Sequence, residues 1–541
     1  MLKIMMSLSL LLNLLSSGGA MQPGEEDNDS EVASENSEEN YGVTASHPLA
    51  VEAGMEVLEN GGNAADAAVA VSYALNVVEP FGSGIGGGGQ ALLLPPDEEE
   101  PIVYDYKVSA PSKEDWNGDV TGVPGFVKGM DTIHKEHGSE SFDELISPAI
   151  ELAEDGFEVD PVLAERLDGA KSRLSVDKLS HLYPDGEPIE SGEILKQSDL
   201  AETLKKIQAE GPSAFYEGEI GENFAEKVSN VKESDLEDYE VTEPAPVKGE
   251  LDEGMIYSAS PPLSGVPFVQ SLKLAEYMNI EETKDNVSEF AHVMSEISRV
   301  TNNDKINKVG DPSSNDDMDQ EELVSDEHIE DLAEKISAFE PSDETASDDE
   351  TADDDHTDTT HFVVVDKDGM MVSATNTLSN FFGSGDYVDG YFINNADKYF
   401  SKLSNSPNSY KPGKRSRSST APSIFMNEDR TIGIGTPGGG RIPSVMAQVL
   451  SRHFYFDESL EEAVEALRFY GRDGTFYAEP GFSEEVLDDM KERGYGIRVN
   501  HHTMFFGGIQ ALEVNQEDGT INGIADERRG GSWDSSNKEE E

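Results

Sequence analysis

The chain has 541 residues, enough for one large or several ordinary domains. Its 39 basic residues stand against 110 acidic ones, a formal charge of −71, which excludes the basic footprint that nucleic-acid binding needs. It contains no cysteine, which excludes a disulfide framework, a thiolate nucleophile and a Cys-based zinc site. Charge of that density destabilises a compact chain in dilute salt by self-repulsion. Molar salt shortens the Debye length to about 3 Å, so the acidity reads as the solvated surface of a salt-adapted, halophilic protein.

The first residues, MLKIMMSLSLLLNLLSSGGAMQ, carry a short basic region at Lys3, an apolar core from Ile4 to Leu15 and small residues up to Ala20. That pattern predicts a signal peptide over residues 1–20, hence an extracellular or cell-surface protein. The apolar run is short for a membrane span. Residues 21–40 are acidic and are expected to be disordered. Ser46 to Glu59 reads as a helix with Ser46 at its N-cap and Pro48 near its start. Gly61-Gly62 ends it and Asn63 caps the next. Ala64 to Val78 is apolar nearly all round, the mark of a helix buried between layers. A glycine-rich stretch, Gly82 to Gly89, then leads into short strands at Gln90–Leu94 and Ile102–Tyr106. Residues 122–340 are expected to be mostly helical, for example at Glu144–Asp155, Leu200–Glu210 and Ser288–Asn302, the last capped by Ser288.

From Pro341 to Asp358 the chain is acidic and poor in structure-forming residues, and at Thr359 it turns abruptly β-rich. Phe362–Val365 and Met371–Thr377 flank Asp366-Lys367-Asp368-Gly369, a hairpin turn. A strand follows at Tyr391–Asn394. Ser423–Met426 and Thr431–Gly435 flank another turn, Arg441–Phe456 is helical, and Gln510–Val514 with Ile521–Ala525 makes a last hairpin. Helices first, then strands with helices between them, fit a layered α+β fold.

The edge at Asp358-Thr359 carries the chemistry. A cut before Thr359 would expose a residue holding both a hydroxyl nucleophile and a free α-amine to serve as its base. Gly435-Thr436-Pro437-Gly438-Gly439-Gly440 lies between a strand and a helix, where glycine N–H groups can hold an anion or a developing oxyanion. Lys398 to Arg417 holds six basic residues and no acid, Lys398, Lys402, Lys411, Lys414, Arg415 and Arg417, a local positive patch suited to a carboxylate-bearing ligand. Gly82, Gly84 and Gly87 spell G-x-G-x-x-G, but the motif follows a helix and precedes a strand, the wrong order for a dinucleotide site. Close backbone packing is the expected role. His501-His502 has no second ligand cluster at metal spacing. No cofactor and no metal are expected.

Taken in order, these pieces resemble one family. Gly61-Gly62-Asn63-Ala64-Ala65-Asp66-Ala67-Ala68, the Gly86–Gly89 run, Gly122-Val123-Pro124-Gly125, Pro261-Pro262-Leu263-Ser264-Gly265, Thr359-Thr360-His361, Asn394-Asn395, Ser418-Ser419 and Pro437-Gly438-Gly439 are similar to the γ-glutamyltranspeptidases, which are N-terminal nucleophile hydrolases. The resemblance runs from about Tyr41 to about Arg528. It implies a four-layer αββα sandwich formed by two subunits of one precursor: a large subunit over 41–340, an acidic linker over 341–358 ending at the processing site, and a small catalytic subunit over 359–541.

The resemblance also assigns roles. Thr359 matches the nucleophile and cleavage point, Thr377 the threonine that orients it, and Gly438 and Gly439 the oxyanion hole. Lys107, Ser418 and Ser419 match positions that hold the substrate's α-carboxylate. Ser379, Ala396 and Tyr399 fall where the family holds its α-amino group. Lys107 stands where arginine is typical, keeping the charge without the bidentate fork. Ser379 replaces a typical asparagine, Ala396 a glutamine or glutamate, and Tyr399 an aspartate, with Asp397 two residues away. The carboxylate clamp survives while the ammonium clamp is lost, and the loop Ser401–Arg417 is shorter than in members with a lid.

The implied activity is a self-processing γ-glutamyl transpeptidase or hydrolase. It would cleave γ-glutamyl amides such as glutathione-like donors and pass the acyl group to water, an amino acid or a peptide. The lost amine positions open a second reading, a hydrolase of poly-γ-glutamate or of dicarboxylic (glutaryl-type) amides. A non-catalytic acidic surface or binding protein is the reading from another class.

Overall fold

The computed structural model describes residues 40–96, 98–114, 116–315, 317–336 and 357–538. The expected signal peptide and the acidic segment that follows it lie outside the described residues, apart from Asn40. So does the acidic linker, except Thr357 and Asp358, which already belong to a strand.

Two six-stranded sheets form the centre. The first runs in the order Ser532–Ser535, Gly42–Ala45, Thr357–Val365, Met371–Asn380, Gly88–Leu94, Ile102–Asp105. The second runs Ile521–Ala525, Gln510–Asn515, Arg430–Gly435, Ser423–Met426, Gly254–Ser258, Val247–Leu251. All pairings within these two sheets are antiparallel.

The strands are covered on both faces, which is why they read as continuous apolar runs rather than alternating ones. In Phe362-Val363-Val364-Val365 the period of two sorts the side chains. Val363 and Val365 join Leu92, Leu94, Ile424 and Leu512 in the core between the sheets. Phe362 and Val364 face the other way, into a core shared with the helices Pro48–Glu59 and Ala64–Val78. The second sheet is covered in turn by Gly265–Tyr277, Val287–Lys308 and Ile442–Tyr455. The result is the αββα sandwich, helix layer on sheet on sheet on helix layer.

The helix Ala64–Val78 is buried at all 15 positions. Its alanines let it lie close to the sheet. It starts in a capping box: the Asn63 side chain accepts from the Asp66 N–H at 3.0 Å, and Asp66 accepts from the Asn63 N–H at 3.0 Å. Two other expected caps are wrong. His47, not Ser46, caps Pro48–Glu59, because the Ser46 hydroxyl is taken by Glu79 and Thr360. Asn286, not Ser288, caps Val287–Lys308, and Ser288 sits buried inside that helix. The stretch expected to be mostly helical also contains a β-hairpin, Val247–Leu251 with Gly254–Ser258, an edge of the second sheet.

The Gly86–Gly89 run does what close packing requires. A methyl group on any of these glycines would come within 2.5 Å of a carbonyl oxygen, those of Phe392, Thr377, Tyr106 and Thr375 in turn. No dinucleotide geometry is formed, since the run enters a strand.

Candidate active site

Thr359 sits where the pairing of its strand slips. Asp358 is opposite Ser379, but Thr360 is opposite Asn376, so one residue of ladder is lost between them. Such an irregularity re-aims a side chain. The Thr359 hydroxyl lies 3.2 Å from that of Thr377, to which it donates. The Thr377 oxygen also accepts the Ser379 N–H at 2.8 Å. Ser379 has φ 82°, a left-handed conformation that costs a non-glycine residue about 1–3 kcal/mol and collects at functional sites.

The next residue anchors the strand. The Thr360 hydroxyl donates to the buried Glu79 carboxylate, and Ser46 donates to the same oxygen at 2.7 Å. Buried Arg529 stands 3.7 Å from the other Glu79 oxygen. A buried carboxylate is tolerable only with partners of this kind. Here they join the end of the Ala64–Val78 helix, the strand of Thr359 and the C-terminal segment. His361 is fully buried, and burial pulls its imidazole down to about 3. It therefore stays neutral and is no candidate base. Its ring fills the space over Gly435, where a Cβ would stand 2.3 Å from a ring carbon.

The second sheet supplies the glycine turn. Strand Arg430–Gly435 leads through Gly438 (φ 139°) and Gly439 (φ 58°) into the helix Ile442–Tyr455. Both conformations suit glycine and strain other residues. Gly439 and Gly440 line the same cleft as Thr359, with Gly438 one residue behind. The partial positive end of the helix lies just beyond.

The cleft also brings together Thr377, Ser379, Tyr399, Ser418 and Ser419 with Lys107. Four cations line it, Lys107, Lys305, Arg417 and Arg472, and among the described lining residues none is Asp or Glu. Lys107 is buried and donates to Ser416 Oγ at 3.1 Å. Burial lowers its ammonium to about 8, against the pull of Asp105 and Asp397. Lys305 Nζ donates to Ser419 Oγ at 3.3 Å. Ser418 is fixed through its backbone: its N–H donates to the Pro262 carbonyl at 3.2 Å and its carbonyl accepts from Ser264 Oγ at 2.8 Å. That is the work of the Pro261-Pro262-Leu263-Ser264 stretch.

Of the three positions that the resemblance assigns to the amino group, Ser379 and Tyr399 line the cleft, but Ala396 is buried away from it. Tyr399 donates its hydroxyl to Asn380 at 2.8 Å. Asp397 brings no carboxylate to the cleft, since it is not among the described lining residues. It is 1% exposed, neither carboxylate oxygen has a hydrogen-bond partner among the described residues, and burial pushes it up to about 8.

The basic run from Lys398 to Arg417 is not a single patch. Arg417 alone of the six lines the cleft. Lys414 is spent on the carbonyls of Pro407 and Ser409, Lys411 on that of Ser314, and Arg415 on buried Asp105, 3.6 Å away, and the Glu240 carbonyl. In an acidic chain these cations hold a loop together. His501 and His502 are exposed.

Sequence reasoning missed Asn302 and Lys305, one turn apart on a helix with no marking pattern, and Tyr470 and Arg472 on the short strand Phe469–Arg472. The last pair carried a faint signal, two polar-tipped residues at strand period.

The chain is similar to known proteins over most of its length. The γ-glutamyltranspeptidase family profile matches residues 50–535. The capsule biosynthesis protein CapD proenzyme of Bacillus anthracis is 44% identical over 495 residues, covering 92% of this chain and 90% of that one. The glutathione hydrolase proenzyme of Bacillus subtilis strain 168 is 31% identical over 533 residues, covering 91% and 90%. Among solved structures, the cephalosporin acylase from Bacillus halodurans superposes with a TM-score of 0.82 at 25% identity, covering 92% of this chain and 95% of that one. Family profile, relatives and fold converge, and the chain belongs to the γ-glutamyltranspeptidase family of N-terminal nucleophile hydrolases.

Proposed function

We propose that this protein cuts itself before Thr359 and then uses that threonine to hydrolyse or transfer γ-glutamyl-type acyl groups. The observation that carries the reading is the Thr359–Thr377 hydroxyl pair set in a cleft with glycine N–H groups and four cations. In the first step the Thr359 hydroxyl adds to the carbonyl of the Asp358–Thr359 peptide. The C–N bond breaks, the nitrogen takes the proton, and an ester joins Asp358 to Thr359 Oγ1. Water cleaves the ester, leaving a carboxyl on Asp358 and an amine on Thr359. The pieces before and after the cut remain together as the two subunits.

An α-amine has a reference pKa of roughly 7.7–8.0, close to a working pH, so it suits the removal of the hydroxyl proton. Thr359 Oγ1 attacks the donor carbonyl while Thr377 orients it. The N–H groups of Gly438 and Gly439 take the developing oxyanion. The leaving amine departs with the proton, and the acyl ester is resolved by water or by an amino acid or peptide amine. Lys107, Ser418 and Ser419 hold the donor's α-carboxylate.

The lining favours one donor over another. A free γ-glutamyl group, as in glutathione-like donors, presents an ammonium, and the described lining has no carboxylate to receive it. An N-acylated γ-glutamyl unit, such as an internal unit of poly-γ-glutamate, presents carboxylates and no ammonium, and meets four cations. We therefore place such units first and glutathione-like donors second. An extracellular or cell-surface location accords with a polymeric donor. Among the described residues no helix is long and apolar enough to cross a membrane.

N-terminal sequencing of the purified protein in molar salt tests the cut, with the expected new terminus Thr-Thr-His-Phe. Initial rates on γ-glutamyl-p-nitroanilide, glutathione and poly-γ-glutamate test the donor. Preference for either of the first two over the polymer rejects the N-acylated reading, and an uncut, inactive chain rejects the enzyme.

A further inference from the structure

The strand Phe469–Arg472 pairs with Thr475–Ala478, which pairs in parallel with Gly496–Val499, making a separate three-stranded sheet. Residues opposite each other in register share a face. Tyr470 is opposite Tyr477, Tyr477 is opposite Arg498, and Arg472 is opposite Thr475. One face therefore carries Tyr470, Arg472, Tyr477 and Arg498. The other sends Phe469, Phe476 and Ala478 into the core.

Tyr470 and Arg472 line the catalytic cleft, and the same two residues line a second depression with Arg441, Tyr477, Arg498 and Phe505. The two spaces are neighbours that share these two residues as a common wall. The Arg441 guanidinium lies over the Phe505 ring at 4.1 Å and Arg498 over Tyr477 at 5.8 Å. Asp473 flanks the floor, 3.3 Å from Arg472 Nε, but none of the described residues lining the depression is acidic. In a chain with 39 basic and 110 acidic residues, three guanidiniums gathered in one depression are a marked exception. The surrounding acid repels anions, so a local group of arginines defines where an anion settles. A guanidinium fork matches a carboxylate in shape as well as charge.

We propose that this arginine- and tyrosine-faced sheet is an accessory subsite that holds a further carboxylate of a chain-like polyanionic substrate while its amide bond is at Thr359. The proposal rests on the donor reading above and extends it beyond the unit being cut. The further carboxylate belongs either to a longer donor or to an anionic acceptor; both present the same chemistry to Arg498 and Arg472.

The test uses the mature, two-subunit protein and the exposed residue Arg498. Initial fluorescence anisotropy with labelled γ-linked glutamate dimer and hexamer reads binding before turnover. Arg498→Gln is expected to raise the hexamer Kd about three- to fivefold, the range of one exposed charge contact. Arg498→Glu should raise it further, Arg498→Lys should restore most of it, and the dimer Kd should not move. Equal changes for dimer and hexamer, or none, overturn the proposal. Two kinetic arms assign the source. A KM change confined to long donors in hydrolysis places the carboxylate on the donor, and one confined to anionic acceptors, with γ-glutamyl-p-nitroanilide as fixed donor, places it on the acceptor. If Kd shifts but neither KM does, the carboxylate is not held during reaction and the proposal also falls. If wild type binds the hexamer through Arg498 but hydrolyses no polymer, the donor reading fails and the subsite stands on the acceptor arm.

Discussion

The residues around Thr359 fall into two groups, one cationic and one neutral. One group, Lys107, Lys305, Arg417, Ser418 and Ser419, brings cations and hydroxyls to the cleft and, on the proposed function, takes carboxylate. The other, Ser379 and Tyr399, offers only neutral oxygen, and on the proposed function it meets the part of the donor where an ammonium would lie. The first is backed by a deep polar support, since Lys107 reaches Ser416 and Ser418 is tied to Pro262 and Ser264. The second is tied to Asn380 through Tyr399 and carries the strained Ser379 backbone. The contrast teaches that the two sides of one cleft can differ in the charge they present. What it recognises then follows from which charge is still answered.

The largest expected effect separates the chemistry from both groups. Thr359→Ala should stop the internal cut and lower amide turnover by at least about a thousandfold, as removal of a nucleophile does, read by gel and by product formation. A variant that still matures and turns over like its parent would break the whole account. Next comes the contrast itself. Lys107→Met should raise the donor KM about ten- to a hundredfold, the worth of a charge-assisted hydrogen bond, while Tyr399→Phe should change it by less than about threefold. Equal effects would erase the distinction.

A pH profile sharpens it further. Lys107 titrates near 8, well below an ordinary lysine, because burial disfavours its charge. Its folded-state charge is therefore present below that pH and lost above it, so donor KM should rise by up to about tenfold per pH unit once pH passes 8. Lys107→Arg should remove that rise.

The smallest effect concerns Asp397. Its folded carboxyl titrates near 8, far above an exposed aspartate, so the folded state keeps a proton the unfolded chain has lost. Stability should fall as pH rises from about 4 to 8. Asp397→Asn should flatten that slope and raise Tm at pH 8 by about 1–3 °C, measured by thermal unfolding. It should also move the KM inflection of Lys107 lower, because a neighbouring negative charge is gone.

What could be read from the sequence was what is decided locally. Asn63 and Asp66 cap a helix three residues apart, and the apolar face of Ala64–Val78 runs all round, so both were visible in the residue order. The strand that holds Thr359 was visible because composition changes abruptly beside it. Ser46 was misread because its hydroxyl is claimed by Glu79 and Thr360, partners 33 and 314 positions away that no window contains. The run Lys398–Arg417 was overread for the same reason: Lys411 and Arg415 go to Ser314, Asp105 and Glu240 in distant elements. Lys305 gave no sign at all, since a lysine near the end of a surface-spaced helix looks the same whether it faces solvent or a cleft.

The four-residue strand Gly42–Ala45 has a consequence for the protein once cut. It is stitched into the first sheet between Thr357–Val365 on one side and Ser532–Ser535 on the other, four residue pairs in register on each flank. The residues it pairs with, Phe362–Val365 and Ser532–Ser535, all lie beyond the proposed break. Severing one covalent bond thus leaves a woven pair that no gentle treatment should unpick. The halves should co-elute one to one in native buffer and part only when the weave itself is melted.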